Sequence, residues 1–372
     1  MSRPVPLQSI QILRALAAIL VVIGHAFHDS AYIAQHTSQP LIEMPYFEWG
    51  FGVDIFFVIS GFIMIYTTID LFGQPGAAST FLTRRLIRIA PLYWLMTALL
   101  ILVAIFTPHY LNVPIESWRS VVTSYMFIPD VRGNGEARPI LASGWTLNYE
   151  MFFYAIFACS LTLPLRRGLL WIVGFFIFLS VAGFMTALPG AALPFWTDSI
   201  ILEFVLGILV GLLCLSKRSL SVRSASLLAA AAVLLAIALG PIWSCNQILP
   251  RFIQAGVPAA LLVAAAALGP ALPSTSFVMC LAAVGDASYS LYLTHPFVLR
   301  PLRNIWIWLD GGSLPLSLYV IVCIFVAAAA AIVCCWLIER PLTATLQRMT
   351  RNLVRPRKET VAPHAATARA DV

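Results

Sequence analysis

The sequence predicts an all-α integral membrane protein with about ten transmembrane helices and both termini in the cytoplasm. Its 372 residues are 60% hydrophobic and only 10% charged, with a mean hydropathy of +0.89. Soluble domains contain about 25% charged residues, and an apolar run of about 18 residues is long enough to cross a bilayer. Such runs follow one another along this chain, and the segments between them are mostly too short to form a soluble domain.

Each predicted span is close to the ~20 residues that a helix needs to cross a hydrocarbon core ~30 Å thick. Membrane β-strands are excluded because the apolar runs are continuous rather than alternating. Arg14 and His25 interrupt the first apolar segment, and no small-residue cleavage site follows it. We therefore interpret it as a retained span rather than a signal peptide. The ten predicted spans are 8–29, 50–69, 89–107, 146–163, 169–187, 196–215, 224–240, 252–269, 280–299 and 315–338.

Lysine and arginine cluster on alternate connections, and this bias predicts the orientation. The 30–49 and 188–195 loops contain neither residue, whereas the connections on the opposite side and the C-terminal tail are basic. The 108–145 loop has three arginines accompanied by acidic residues, and its turn-forming residues indicate turns rather than a domain. We expect a membrane domain over 1–340 and a basic cytoplasmic tail over 341–372. The tail begins as an amphipathic surface stretch and ends in disorder.

The net charge of +7 does not indicate a nucleic-acid partner. Nucleic-acid-binding proteins carry a basic stripe on a soluble face, whereas here the basic residues lie in short clusters between apolar runs. The seven cysteines lie mostly within apolar runs and form no CxxC pattern. They are therefore interpreted as packing residues rather than as a metal site or a disulfide framework.

Ionisable residues inside predicted spans are costly, so each one is a functional hypothesis. Arg14 and His25 are eleven residues apart, which places both on one helix face, ~16 Å apart along the axis. Histidines near carboxylates in a dry site suit proton transfer to and from a hydroxyl. Five ionisable residues from five spans are predicted to share one depth in the outer half of the membrane: His25, Asp54, Glu150, Glu203 and His295.

The inner side is predicted to be positively charged. Arginine forks match phosphate groups, so a crowd of arginines there would suit an anionic cofactor that enters from the cytoplasm. The residues concerned are Arg14, Arg84, Arg85, Arg88 and Arg340.

Structural alternatives stay open for most of these residues. Arg14 could be a snorkelling anchor, and the arginines after the second span could serve only as topology signals. Asp54 could pair with an arginine simply to hold helices together, and His295 could be an interface residue. Ser60 and Gly61 favour close helix packing over a nucleophile.

Six stretches of the chain resemble the acyltransferase-3 family of bacterial membrane acyltransferases, especially its exopolysaccharide-production branch. They occur in order and cover five spans. The pattern from Arg14 to His25 and the pattern from Arg85 to Arg88 are specific in combination. The stretches are IQILRALAAILVVIGHAF (10–27), FGVDIFFVISGFIM (51–64), FLTRRLIRIAPLYWL (81–95), SGWTLNYEMFFY (143–154), GDASYSLYLTHP (285–296) and IERPL (338–342).

The resemblance implies transfer of an acyl group, usually acetyl, from cytoplasmic acyl-coenzyme A to a sugar hydroxyl of an envelope or exported glycan. It also implies a bacterial inner-membrane protein whose acceptor is a glycan or a lipid-linked oligosaccharide. The family's essential first-span residues map to Arg14 and His25, its basic pair to Arg85 and Arg88, and its fourth-span acid to Glu150. Many relatives carry an extra soluble domain that completes the transfer. None is recognisable in this sequence, so the membrane domain would act alone or with polysaccharide-assembly partners.

Together these observations predict that acyl-coenzyme A is the donor. No metal cofactor is expected. The phosphates of the donor would rest on Arg85 and Arg88, and its arm would follow the face of Arg14. His25 would act as general base or acyl carrier, oriented by Glu150 or Asp54, and His295 joins this catalytic set. The rival interpretations are a proton-coupled transporter or flippase for a glycan precursor, which would use the same residues as a relay, and a non-catalytic scaffold.

Overall fold

The computed structural model describes residues 8–37, 39–41, 47–107, 114–115, 117–186, 188–246, 249–310 and 314–354. The regular elements of these residues are helical, apart from one isolated β-bridge. In chain order the helices are α1 (Gln8–Thr37), α2 (Phe51–Thr68), α3 (Ala77–Phe106), α4 (Trp118–Tyr125), α5 (Trp145–Leu161), α6 (Leu165–Met185), α7 (Ala192–Trp196), α8 (Leu202–Leu215), α9 (Val222–Asn246), α10 (Val257–Leu268), α11 (Ser276–Asp286), α12 (Ser288–Asp310), α13 (Leu316–Cys334) and α14 (Arg340–Val354).

Several helices are long and apolar enough to cross a membrane, so the chain is a multi-pass membrane protein. Seven described helical stretches pass this test, and the number is eight if the bent pair of α11 and α12 forms one span. Phe252–Leu268 is apolar but shorter, and α5, which coincides with the predicted span 146–163, has 17 residues. The all-helical membrane fold is thereby confirmed, whereas ten spans and cytoplasmic termini stay predictions.

Two glycines allow α2 and α8 to pack with their backbones in close contact. A β-carbon added to Gly61 would lie 2.0 Å from the carbonyl oxygen of Phe204, and one added to Gly207 would lie 2.0 Å from that of Val58. Neither position can therefore carry a side chain without moving the partner helix. Close approach through small residues is typical of helix pairs in membranes, where dispersion contacts replace the hydrophobic driving force.

Helix α1 packs against α2, α11, α12 and α13. The chain bends by 73° between α11 and α12, and this bend brings the first two turns of α12 toward α1, α2, α3 and α5. Three residues of those turns, Ser288, Tyr289 and Tyr292, contribute to the wall of the cavity described below. The bend thus positions part of the candidate site.

The connection before α5 contains more regular structure than the turns predicted for it. Ser117 caps α4 by accepting a hydrogen bond from the Ser120 amide, and Val131 forms an antiparallel bridge with Ala137. At the other end of the chain, residues 340–354 form α14, and the rest of the predicted tail lies outside the described residues. Of the seven cysteines, the Cys245 side chain also lies outside them, and the other six are free thiols.

Candidate active site

A cavity opens between α1, α2, α3, α5 and α12. Four of the seven predicted site residues line it: Arg14, Arg85, Arg88 and Glu150. We call it the arginine cavity after its three cations. Because these cations face one lining carboxylate, the cavity favours a ligand with negative charge. The structure thus brings together residues that are up to 136 positions apart in the chain.

Two of the arginines owe their common direction to helix geometry. Arg85 and Arg88 are three residues apart on α3, so they lie on one face. The preceding residue, Arg84, is exposed and does not line the cavity. The Arg85 guanidinium lies 5.4 Å from the centre of the Phe81 ring and 5.8 Å from that of Tyr154. Such contacts with aromatic faces hold the cation in place while its donors stay available. Arg14 donates a hydrogen bond to the Gln11 side chain at 3.0 Å.

Two hydroxyl groups fix Glu150. Ser60 on α2 donates to its carboxylate at 2.8 Å, and Tyr154, one turn along α5, donates to the same oxygen. Neither hydroxyl was predicted as a site residue. Since Ser60 reaches Glu150 while neighbouring Gly61 packs against α8, this pair of residues has two separate roles. The carboxylate is therefore held facing the arginines.

His25 and His295 form a pair that does not line the arginine cavity but lies beyond Tyr292, one of its lining residues. Their ring centroids are 4.8 Å apart and their planes are tilted by 40°. The Tyr292 ring, which lines the cavity, lies 6.1 Å from that of His295 and 6.2 Å from that of Phe56. Tyr292 therefore stands between the cavity and His295.

The two histidines differ in exposure. His25 is exposed, whereas His295 is only 1% exposed. The Leu291 carbonyl oxygen lies 3.2 Å from His295 Nδ1, and because a carbonyl can only accept, Nδ1 carries the hydrogen and Nε2 keeps its lone pair. That Nε2 atom is buried and has no hydrogen-bond partner among the described residues. The histidine pair thus offers one accessible ring backed by a second ring with an unused acceptor.

Asp54 belongs to a different part of the bundle. It is fully buried and forms a two-pronged ion pair with Arg251, with Nε–Oδ1 and Nη2–Oδ2 distances of 2.8 and 3.2 Å. Glu203 is also fully buried and interacts electrostatically with both, and Arg251 lies over the Trp145 ring at 5.8 Å. We call Asp54, Glu203 and Arg251 the carboxylate cluster. None of its members lines the arginine cavity.

The five acidic and histidine residues predicted to lie at one depth therefore fall into three groups. His25 and His295 form one, Glu150 joins the arginines, and Asp54 and Glu203 surround Arg251. The structure thus differs from the expectation that Glu150 or Asp54 orients His25, because their described hydrogen bonds lead elsewhere. Sequence reasoning missed Arg251 because it precedes the predicted span 252–269. An arginine at the edge of an apolar run is the signal that could have revealed it.

Hydroxyl groups complete the wall of the arginine cavity. Tyr289 donates to the Ile89 carbonyl at 2.6 Å, and Thr146 donates to the Tyr292 hydroxyl at 3.0 Å. The Ser288 hydroxyl is buried and has no partner among the described residues, so it can still bond a ligand. No group of three or more histidine, cysteine, aspartate or glutamate side chains in the described part of the chain could hold a metal ion. The cavity can therefore hold an anion by arginine and hydroxyl contacts.

The sequence profile of the acyltransferase-3 family, described as an acyltransferase domain, matches residues 7–340. The exopolysaccharide production protein ExoZ of Rhizobium meliloti (strain 1021) is 33% identical over 299 residues, which cover 78% of this chain and 88% of that protein. BcsY of Komagataeibacter xylinus, named as a candidate membrane-bound transacylase, is 32% identical over 171 residues, which cover 42% of this chain and 37% of that protein. No solved structure matches the chain. The chain is an acyltransferase that belongs to the acyltransferase-3 family.

Proposed function

We propose that this protein transfers an acyl group, acetyl by preference, from acyl-coenzyme A to a sugar hydroxyl of an exopolysaccharide or other envelope glycan in a bacterial inner membrane. The observation that carries the proposal is the arginine cavity with a histidine pair behind its lining residue Tyr292. The proposal also draws on the similarity to ExoZ, an exopolysaccharide production protein. The acceptor is a glycan or a lipid-linked oligosaccharide.

The donor binds through its phosphates. Coenzyme A carries a diphosphate and a 3′-phosphate, and arginine forks bond such groups with two parallel hydrogen bonds. Arg85 and Arg88 hold these phosphates at the cytoplasmic end, and Arg14, which lines the same cavity, contacts the donor farther along. Glu150, fixed by Ser60 and Tyr154, limits the positive charge of the site and reduces the repulsion between the three guanidinium groups.

The acyl group leaves the cavity toward His25. The thioester arm passes Phe56 and Tyr292, which both line the cavity, and Tyr292 lies 6.1 Å from the His295 ring. His25 then accepts the proton of the sugar hydroxyl as the hydroxyl oxygen attacks the thioester carbonyl carbon. The new bond joins carbon to oxygen, the carbon–sulfur bond breaks, and the coenzyme A thiolate leaves and takes up a proton. In the covalent variant, a His25 nitrogen first attacks the same carbon and the coenzyme A thiolate leaves. The sugar hydroxyl then attacks that carbon, its bond to the His25 nitrogen breaks, and the released imidazole takes up the hydroxyl proton.

His295 supports His25 in either route. Its buried Nε2 atom has no partner among the described residues and lies in the ring that faces His25 at 4.8 Å. A rotation of either ring lets the two imidazoles share the proton that His25 accepts. Asp54 has a different role in this proposal, because its ion pair with Arg251 supports the helix-holding alternative.

The test compares surface-polysaccharide O-acetylation in cells that make the wild-type protein, His25→Ala or His36→Ala at equal membrane levels. His36 is the matched control because it is exposed on the same helix and stacks on Tyr32, away from the cavity. We expect His25→Ala to lose the acetyl groups, since general-base catalysis contributes about 10²- to 10⁴-fold, and His36→Ala to keep them. Full acetylation in the His25→Ala cells would remove His25 from the chemistry and favour a scaffold.

A further inference from the structure

The amino-terminal end of α12 forms part of the wall of the arginine cavity. Its first residue, Ser288, lines the cavity, and so do Tyr289 and Tyr292. The first hydrogen bond of α12 runs from the Leu291 amide to the Ala287 carbonyl at 2.8 Å. The amides before Leu291 therefore have no acceptor in α12, and the 73° bend takes this helix out of line with α11. The end of α12 at the cavity thus carries unused amide donors and a partial positive charge.

Two hydrogen bonds hold this first turn in place. Tyr289 donates to the carbonyl of Ile89, the neighbour of Arg88 on α3, at 2.6 Å. Ser290, which is fully buried, donates to the carboxylate of Glu339 just after α13. The turn is therefore fixed between α3 and the end of α13. The contact with Ile89 also places the turn beside the cavity arginines of α3.

Ser288 differs from the other hydroxyl residues of this turn. The hydroxyl groups of Tyr289 and Ser290 have partners, whereas that of Ser288 is buried and has none among the described residues. Ser288 is 0% exposed, and it lines the same cavity as Arg14 and Arg85. A buried hydroxyl without a partner is unfavourable, and a ligand oxygen could accept its hydrogen bond. Phosphate groups bind at helix amino termini through such amide and hydroxyl donors.

The same face of α12 leads from this point to the histidine pair. Ser288, Tyr292 and His295 follow one another at intervals of four and three residues, so they share one helix face. His295 lies about 10 Å beyond Ser288 along the axis, and its ring is 4.8 Å from that of His25. In coenzyme A the diphosphate is joined to the thioester by the pantetheine arm, whereas the 3′-phosphate is on the ribose. The group that fits the start of this face is therefore the diphosphate.

We propose that the amino-terminal end of α12 binds the diphosphate of the acyl-coenzyme A donor through the Ser288 hydroxyl and the first backbone amides. The diphosphate is shared with Arg85 and Arg88, which also hold the 3′-phosphate. The inference rests on the proposed acyl transfer and adds a second element to the donor site. The amides and the hydroxyl of α12 are neutral donors, so they bind the diphosphate without adding to the repulsion between the arginines.

The experiment measures the Kd of three acetyl donors for the purified protein in detergent, by titration with radiolabelled acetyl-coenzyme A and competition by the others. The other two donors are acetyl-dephospho-coenzyme A, which keeps the diphosphate, and acetyl-pantetheine, which has no phosphate. Ser288→Ala should raise the Kd of both diphosphate donors by the same factor, about 10-fold, and leave that of acetyl-pantetheine unchanged. Thermal unfolding should show no loss of stability, because alanine removes a buried hydroxyl that has no partner.

A second variant replaces the hydroxyl by a carboxylate. Aspartate is favourable in the first turn of a helix, so Ser288→Asp should fold. Its carboxylate repels the diphosphate, and the Kd of acetyl-coenzyme A should therefore rise further than in Ser288→Ala. Ser276→Asp is the matched control, because Ser276 is the first residue of α11, is exposed and does not line the cavity. This control should keep the wild-type Kd.

Three outcomes overturn this inference alone. They are an unchanged Kd of acetyl-coenzyme A in Ser288→Ala, a loss that disappears with acetyl-dephospho-coenzyme A, and an equal loss with acetyl-pantetheine. The second outcome would assign Ser288 to the 3′-phosphate, and the third would assign it to the pantetheine arm. If the wild type does not bind acetyl-coenzyme A, the donor of the proposed function is wrong, and the inference falls with it.

Discussion

The arginine cavity and the carboxylate cluster contain the same types of residue in opposite arrangements. In the cavity, Arg14, Arg85 and Arg88 surround a single lining carboxylate, and the space between them is open. In the cluster, two fully buried carboxylates share Arg251, and the ion pair is closed by direct contacts of 2.8 and 3.2 Å. An ionisable residue in a membrane helix is therefore not by itself a sign of catalysis. What the residue can bind depends on the open space beside it and on the net charge of the residue and its neighbours.

The largest expected effect is on stability, at the carboxylate cluster. Arg251→Met should lower the free energy of unfolding by about 3–5 kcal/mol, because removal of one partner leaves buried charge uncompensated. Asp54→Asn should cost less, since Arg251 keeps Glu203 as a carboxylate neighbour. Thermal unfolding in detergent measures both. The control Arg119→Met removes the exposed cation of the Arg119–Asp130 pair and should cost at most about 1 kcal/mol. Equal losses for Arg251→Met and Arg119→Met would contradict the contrast between the two regions.

The next effect is on donor affinity, at the arginine cavity. Arg85→Ala and Arg88→Ala should each raise the KM for acetyl-coenzyme A about 10- to 100-fold, because each removes charge-assisted hydrogen bonds of about 1.5–3 kcal/mol. The free energy of unfolding should change little, since the Arg85 side chain is partly exposed and the Arg88 side chain is exposed. Arg84→Ala is the matched control on the same helix and should leave the KM unchanged. An unaltered KM in both cavity variants would remove the donor from this site.

The smallest effect concerns the hydroxyl groups that hold Glu150. Tyr154→Phe and Ser60→Ala each remove one neutral donor, a loss of about 0.5–1.5 kcal/mol. We expect steady-state kinetics to show a several-fold loss of kcat/KM for acetyl-coenzyme A. Thr67→Ala offers a control on α2, because that hydroxyl bonds only to backbone carbonyls of its own helix. If all three variants have the same kcat/KM for acetyl-coenzyme A, the position of Glu150 does not depend on Ser60 and Tyr154.

Sequence patterns predicted the membrane fold because apolar run length is a direct physical requirement of the bilayer. They also predicted that five arginines would crowd one region. Arg14, Arg85 and Arg88 line one cavity, whereas Arg84 and Arg340 do not. His25 and His295 were predicted at a common depth, and their rings are 4.8 Å apart.

Depth along a helix does not fix direction around it. Asp54 and Glu150 were predicted at the same level, yet one faces Arg251 and the other faces the arginine cavity. The direction depends on which helices pack together, and that depends on close contacts such as Gly61 against Phe204. Ser60 escaped prediction because serine hydroxyls in helices commonly bond their own backbone. Tyr154 escaped because an aromatic ring in an apolar run is accounted for by packing.

The most direct test of the account compares acetyl-coenzyme A with acetyl-dephospho-coenzyme A, which lacks only the 3′-phosphate, as donors for the wild type and for the Arg85→Ala/Arg88→Ala protein. The account predicts that the wild type has a KM about 10-fold or more higher for the dephospho donor, and that the double variant uses both donors with the same KM. A wild type that does not distinguish the donors, or a double variant that still does, would contradict the assignment of the arginine cavity to the donor phosphates.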